Sequence, residues 1–568
     1  MKQLHEGGFV KSTLINLAAI CVAALLFAAS FPSIPFENGL PLLAWIAYVP
    51  VFWVVRRAGM GACVLLGAFY GYAAYGLFNY WLSVFHPLAG LIVGSIYSVY
   101  MAILFALLRL AIIVFPQRGY ILQFLLFMAY EYLRTLGFLG YSYGITGYSQ
   151  WQLLPIIQIA AITGVWGVSA LVVFPSAWLA AALSELNNEP RSLTEEKKNF
   201  EFKTLCYSVP SVVKSFFLKE RVSALVWVAF FAATLVYGFV SPIDYSEARK
   251  VKFAMIQHNT DPWLPSHAPT AAQALVEYRN DFLILRRLSD EALAAHPEVD
   301  FVVWSETAFV PRIWWHQTVR DSPAHWNLVR ELLEYLAAQD VPFIIGNNDA
   351  RRDPSINPHG DNRVDYNAVM LFERGEITGV YRKLHLVPFT EHFPYRRQFP
   401  WIYEALRNAD THFWEKGTEL TVFESRGVRF STPICFEDTF GYLNREFVLN
   451  GAEIFVNLSN DAWSGSLSAQ MQHFIKAVFR AVENRRSMVR STSSGQTCAI
   501  DPNGRILAMA EPFTEAWLVA EVPVVTPSTI YTRYGDYLGV FFTWAAIALL
   551  ISGGFSCIIY SLKRRLKN

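Results

Sequence analysis

Eight stretches of the chain are apolar almost without interruption, at approximately 13–31, 41–55, 60–85, 88–115, 120–138, 155–183, 223–241 and 537–560. A helix needs about 20 apolar residues to cross a hydrocarbon core of roughly 30 Å. The pattern therefore predicts about eight membrane spans, the second of them short. Lys2 and Lys11 precede the first stretch as they would in a signal peptide. Its length and the absence of a clear cleavage site predict a retained helix instead. After residue 241 the pattern changes. Short apolar runs at 252–257, 301–304, 343–346, 453–458 and 428–434 predict buried strands. Residues 367–372 and 379–384 predict neighbouring strands, with Arg374-Gly375 in the turn between them, and Asp501-Pro502-Asn503-Gly504 predicts a turn between two late strands. Residues 273–296, 327–339 and 469–486 carry helical periodicity. Strands alternating with helices predict a layered α/β sandwich. Three parts follow: a membrane domain at 1–241, a water-soluble domain at 242–536, and a last membrane helix with a basic tail at 537–568.

Composition sharpens this division. Charged residues make up 16% of the chain, against about a quarter in soluble proteins. Residues 1–241 contain no Asp, nine Glu and fourteen Lys+Arg, and the tail adds Lys563, Arg564, Arg565 and Lys567. The stretch between holds 29 bases and 37 acids, so the soluble domain is acidic. The net charge of +1 gives no argument for nucleic acid. Arg56, Arg57, Arg118, seven bases within 184–222 and the tail fall in alternate loops, whereas the loops near residues 31–40 and 86–87 carry none. Positive loops stay in the cytoplasm. Both termini are therefore expected there, and the soluble domain on the opposite, extracytoplasmic side. Six cysteines without metal-ligand spacing predict neither a zinc site nor a disulfide framework.

Ionisable residues also fall at membrane depth: Arg109, and Glu131 with Arg134 at helical i,i+3 spacing. Such residues are either functional or a mutually paired couple reaching for the interface.

Three places in the soluble domain carry chemistry. Glu306 follows a buried strand in Trp304-Ser305-Glu306-Thr307. Lys383 ends another, in Tyr381-Arg382-Lys383-Leu384-His385, with Glu391 eight residues on. Cys435 sits at a strand-to-loop corner in Ile434-Cys435-Phe436-Glu437-Asp438. Sites in α/β folds collect at the carboxyl ends of strands. Taken singly, a lone Cys is more often a small buried hydrophobe, and a lone Lys or Glu is usually solvated.

In order and spacing, these segments resemble the nitrilase superfamily, whose catalytic set is Glu, Lys and Cys. With the membrane spans, the chain resembles the bacterial apolipoprotein N-acyltransferase family. The resemblance extends to Leu43-Ala44-Trp45, Gly67, Tyr70-Gly71, Trp81, Glu131-Tyr132-Leu133-Arg134, Gly147-Tyr148-Ser149-Gln150 and Gln158-Ile159-Ala160 with Gly164 and Gly167. It includes Asn457-Leu458-Ser459-Asn460-Asp461-Ala462-Trp463 and Arg490-Ser491-Thr492 as well. Ser305, Phe436 and Thr390 stand where the family commonly has Pro, Tyr and Gly.

The resemblance implies a nitrilase-like αββα domain in the bacterial inner membrane. It also implies transfer of an acyl chain from a phospholipid, through a cysteine thioester, to the N-terminal amine of a diacylglyceryl-cysteine apolipoprotein. Glu306 would be the general base and Cys435 the nucleophile. Lys383 would lower the thiol pKa and share the oxyanion with the backbone N–H of Phe436. Glu391 would orient Lys383, Glu437 would hold the loop around Cys435, and Trp263 would line the entrance. No metal, nucleotide or other cofactor is implied. Phe309, Trp314, Trp315, Phe389 and Phe393 are expected either to dip into lipid or to be ordinary core. The alternative function is a membrane-anchored amidase hydrolysing a small substrate with the same triad.

Overall fold

A computed structural model describes residues 2–85, 87–186, 216, 218–261, 270–355, 362–408 and 413–565. Trp263 and most of the 184–222 loop lie outside the described residues. The chain forms two compact units, Met1–Ser241 with Asp536–Asn568, and Pro242–Gly535.

The first unit is helical. Among the described residues, six helices are long and apolar enough to cross a membrane: Val10–Ser30, Met60–Phe78, Leu88–Val114, Val165–Glu185, Arg221–Val240 and Tyr537–Ser556. The hydropathy pattern predicts eight stretches, and the other two form shorter helices for physical reasons. At 41–55, Pro41 opens a three-residue 3-10 turn and Pro50 sits in the first turn of Val49–Arg57, so the stretch is broken into short pieces. At 120–138, the helix Gly119–Leu133 has 15 residues and stops where Arg134 turns aside.

The polar residues at membrane depth are not paired with each other. Glu131 Oε1 accepts from the backbone N–H of Thr146 at 2.8 Å. Arg134 Nη1 donates to the carbonyls of Tyr141 and Tyr143 at 3.1 and 2.8 Å and to the Tyr97 hydroxyl at 3.0 Å. Its guanidinium lies among the rings of Tyr75, Tyr97 and Tyr130. Both side chains are buried, so neither reaches for the interface. They tie the 141–146 segment to the bundle from two directions. Arg109 donates to the carbonyls of Val55 and Arg56 and so closes the carboxyl end of Val49–Arg57. Gly71 marks a close helix crossing, since a Cβ there would lie 2.2 Å from the Tyr97 carbonyl oxygen.

The second unit contains two six-stranded sheets. The first, in order, is β12 (Ala516–Pro523), β1 (Lys250–Gln257), β2 (Phe301–Trp304), β3 (Phe343–Arg352), β4 (Arg363–Glu373) and β5 (Glu376–Arg382). The second, in order, is β11 (Ile506–Met509), β10 (Cys498–Ile500), β9 (Ser487–Thr492), β8 (Ile454–Ser459), β7 (Val428–Ser431) and β6 (Val422–Ser425). Helices Ala271–Ala295 and Pro323–Ala337 cover the first sheet. Phe282, Leu285, Val329, Leu332 and Leu336 pack there on Ala254, Ile256, Val302, Trp304 and Ile345. Helix Leu467–Asn484 packs on the second sheet. Between the sheets, Phe301 touches Phe253 and Phe430 at ring separations of 5.3 and 5.4 Å. The layering is α/β/β/α.

The two sheets repeat one pairing pattern. Reading β12-β1-β2-β3-β4-β5 and β6-β7-β8-β9-β10-β11, successive pairs run antiparallel, parallel, parallel, antiparallel, antiparallel in both. The parallel strands β2 and β8 are buried throughout, which is why they read as unbroken apolar runs.

Candidate active site

Glu306 follows β2 directly. Gly346 on β3 lets the strands approach there, because a Cβ would meet the Ser305 carbonyl oxygen at 2.4 Å and the Thr307 nitrogen at 2.5 Å. Glu306 Oε1 accepts from Asn367 Nδ2 at 2.8 Å and from Lys383 Nζ at 3.2 Å. Its Oε2 accepts from the backbone N–H of Asn460 at 2.9 Å. The carboxylate is thus fixed by both sheets.

Lys383 leaves the end of β5 fully buried. Its ammonium bridges Glu306 and Glu391 Oε1, the latter at 2.8 Å. Burial would push this amine toward the neutral form, but the carboxylates of Glu306 and Glu391 hold its pKa well above the ordinary value. Glu391 is itself anchored, accepting from the Val387 N–H at 2.8 Å. Burial raises the Glu391 pKa and the Lys383 cation opposes that rise.

Cys435 opens the 3-10 turn Cys435–Thr439 with a left-handed backbone, φ +47°. The residue is half-buried. Burial and the Glu306 charge hold its pKa well above the ordinary thiol value, with Lys383 and the Ser459 side chain pulling the other way. Lys383 acts in the lowering direction, and burial together with the Glu306 charge outweighs it.

Glu437 connects two loops. Its Oε1 accepts from the Leu384 and His385 N–H groups at 2.7 and 2.9 Å, and its Oε2 accepts from the Ile434 N–H at 2.8 Å. The Tyr381 hydroxyl donates to both oxygens. Burial pushes its pKa up to about 7, against these donors. One carboxyl therefore sets the Lys383 loop against the Cys435 corner. Phe436 is buried, with its ring edge-on to Phe440 at 4.9 Å.

The structure thus brings Glu306, Lys383, Cys435, Glu391, Phe436 and Glu437 together. The aromatic expectations divide. Phe309, Trp315 and Phe393 are buried, whereas Phe389 and Trp314 are half-buried, with Arg351 over the Trp314 ring. Reading the sequence assigned no role to Asn367, Asn460, Asp438, Asp461, His473 or Arg490. The available signal was polar residues set inside otherwise apolar strand and helix patterns.

Cys435, Asp461 and His473 offer ligand atoms within 4.8 Å of one another, residue types that can hold a cation. His473 is poorly disposed to do so. Its Nε2 faces Asp438 Oδ1 at 2.8 Å, and its Nδ1 lies between Asp461 Oδ1 and Arg490 Nη2. Both ring nitrogens are already engaged.

Comparison with known proteins decides the family. The family model described as apolipoprotein N-acyltransferase N-terminal domain matches residues 23–178, and the carbon-nitrogen hydrolase model matches residues 252–530. The protein named apolipoprotein N-acyltransferase 1 of Treponema denticola is 42% identical, covering 97% of this chain and 98% of its own. The protein of the same name in Treponema pallidum is 45% identical, with 96% of each chain covered. The chain belongs to the apolipoprotein N-acyltransferase family. It is an enzyme with a nitrilase-type domain and a helical membrane unit. Among solved structures, an amidase from Nesterenkonia sp. matches at 16% identity, covering 53% of this chain and 98% of that one, with a TM-score of 0.35. In this acyltransferase, the polar groups described above lie within the part matched as carbon-nitrogen hydrolase.

Proposed function

We propose that the protein transfers a fatty acyl chain from a membrane phospholipid to the N-terminal amine of a diacylglyceryl-cysteine apolipoprotein. The supporting observation is the near full-length identity to proteins named for this activity. The buried Glu306–Lys383–Glu391 chain beside the Cys435 thiol supplies the groups such a transfer requires.

In the first step Cys435 Sγ attacks the ester carbonyl carbon as its proton passes to Glu306. The oxyanion is stabilised by Lys383 Nζ and the Phe436 N–H. Collapse breaks the C–O bond, and Glu306 returns the proton to the departing glycerol oxygen. In the second step the apolipoprotein amine attacks the thioester. Glu306 takes the amine proton, the amide forms, and the proton returns to the thiolate sulfur. Burial of Lys383 and Glu306 limits competing hydrolysis. Glu391 and Glu437 act by positioning.

The alternative, an amidase acting on a small soluble substrate, does not require the N-terminal membrane domain that the family model matches. The loop charges further support both termini in the cytoplasm and the catalytic unit outside it, in the inner membrane. The deciding experiment mixes purified protein with phospholipid and a diacylglyceryl-cysteine lipopeptide and reads the peptide mass. A gain of one acyl chain on the amine supports transfer. Free fatty acid with an unchanged peptide would favour the hydrolase.

A further inference from the structure

A buried polar cluster lies behind Cys435. Asp438, Asp461, His473 and Arg490 are each at least nine-tenths buried. They come from the Cys435 turn, the loop after β8, the helix Leu467–Asn484 and β9. Arg490 donates from Nε to Asp438 Oδ2 at 3.3 Å and from Nη1 to Asp461 Oδ2 at 3.1 Å. His473 sits between the same two carboxylates, with Nε2 2.8 Å from Asp438 and Nδ1 3.0 Å from Asp461. Two acids thus face an arginine and a histidine. The aspartates lift the His473 pKa above its ordinary value despite burial.

Two contacts carry this cluster to the reacting groups. His473 Nε2 lies 3.2 Å from the Cys435 carbonyl oxygen. A left-handed backbone is strained for a non-glycine residue such as Cys435, so this corner must be held by its surroundings. Asn457 Nδ2 reaches the same carbonyl only at 3.5 Å. The second contact runs through three consecutive residues. Ser459 Oγ donates to Asp461 Oδ1 at 3.1 Å. Asn460 N–H holds Glu306. Asp461 faces His473. One short segment therefore joins the base to the cluster, and His473 joins the cluster to the Cys435 corner.

We infer that His473 is a positioning residue for acyl transfer: its Nε2–H holds the Cys435 carbonyl and, through Asp461, fixes the nucleophile relative to Glu306. This rests on the acyltransferase reading for its kinetic test. The role depends on a donor at Nε2, not at Nδ1. A glutamine amide nitrogen can stand in for Nε2. An asparagine side chain is too short to reach that position.

The test compares His473→Gln with His473→Asn in the purified full-length protein. It measures kcat and KM for phospholipid, thermal unfolding, and the pH dependence of iodoacetamide labelling at Cys435 by peptide mass. His473→Asn should lower kcat roughly 100-fold, the scale of a misplaced catalytic group, with KM little changed. His473→Gln should recover most of that loss. The pH midpoint of Cys435 labelling should shift in the asparagine variant only. Wild-type kcat in His473→Asn would overturn the inference, as would equal losses in both variants that track their melting temperatures. If His473→Asn fails to fold, labelling of the buried Cys498 reveals it. Asp438→Asn, which removes the carboxylate facing Nε2, then takes its place, and an unchanged kcat there overturns the inference. If the wild-type protein transfers no acyl chain, the acyltransferase reading fails. The labelling midpoints, which need no substrate, still decide the role of His473.

Discussion

The backbone N–H of Asn460 donates to Glu306 Oε2 at 2.9 Å, so the proposed base takes its aim from the sheet that carries the nucleophile. Lys383 approaches Glu306 from the other side at 3.2 Å. The carboxylate is restrained from two directions before any substrate arrives, which is the preorganisation that proton transfer requires.

Cys435→Ala, Glu306→Gln and Lys383→Ala should each reduce transfer by at least about 10³-fold, and the double variants should be no worse than the singles, because the three act as a unit. The assay is lipopeptide N-acylation by mass, with thermal unfolding as the folding control. Near wild-type activity in any one of them removes that residue from the triad.

Glu306→Gln should separate thiol ionisation from catalysis. The Glu306 charge raises the Cys435 pKa and the Lys383 cation lowers it. Removing the carboxylate therefore lowers that pKa and increases the thiolate fraction at neutral pH. Iodoacetamide should label Cys435 faster in Glu306→Gln than in wild type, and more slowly in Lys383→Met. Acyl transfer should be lost in both. Slower labelling in Glu306→Gln would contradict the stated electrostatics.

Phospholipid alone should leave an acyl chain on Cys435 as a thioester cleaved by neutral hydroxylamine. Cys498 is fully buried with its pKa pushed up to about 12 by burial, so Cys498→Ser should still be acylated. Lipopeptide should discharge the adduct, and water much more slowly. An adduct persisting in Cys435→Ala would place the nucleophile elsewhere.

Reporter fusions after Asn568 and at Ser355 should give opposite signals, the first cytoplasmic and the second not. Equal signals would mean an error of one in the number of crossings.

Glu131 and Arg134 have separate partners, Thr146 for one and the Tyr141 and Tyr143 carbonyls for the other. The double reversal Glu131→Arg with Arg134→Glu should therefore fail to restore the melting temperature lost in either single variant. Recovery would mean that the two charges pair directly.

Legibility from sequence followed the way each segment buries its side chains. β2 and β8 were readable because parallel central strands are apolar on both faces. β9 was not, although all six of its residues are buried. Its Arg490 is matched by Asp438 and Asp461, and an arginine in a six-residue window hides a strand. The helix Leu467–Asn484 was readable in outline. Its functional side was not, since the residues from Ser468 to Asn484 are all buried and no solvent-facing stripe sets His473 apart. Around 41–57 the prolines mattered more than hydropathy. The Glu, Lys and Cys were visible as strand-end residues, but their partners depended on contacts between segments far apart in sequence.

The repeated pairing pattern has a consequence for biosynthesis. Glu306, Lys383 and Glu391 belong to the first-made half of the catalytic unit, and Cys435, Glu437 and Asp461 to the second. Chains fold as they emerge, amino-terminal part first. The half synthesised first carries the base and the cation with no thiol to activate, and the thiol arrives last. The first sheet is itself completed by β12, which is made after Cys435, so the two sheets can close around base, cation and thiol only once the end of the catalytic unit has been synthesised.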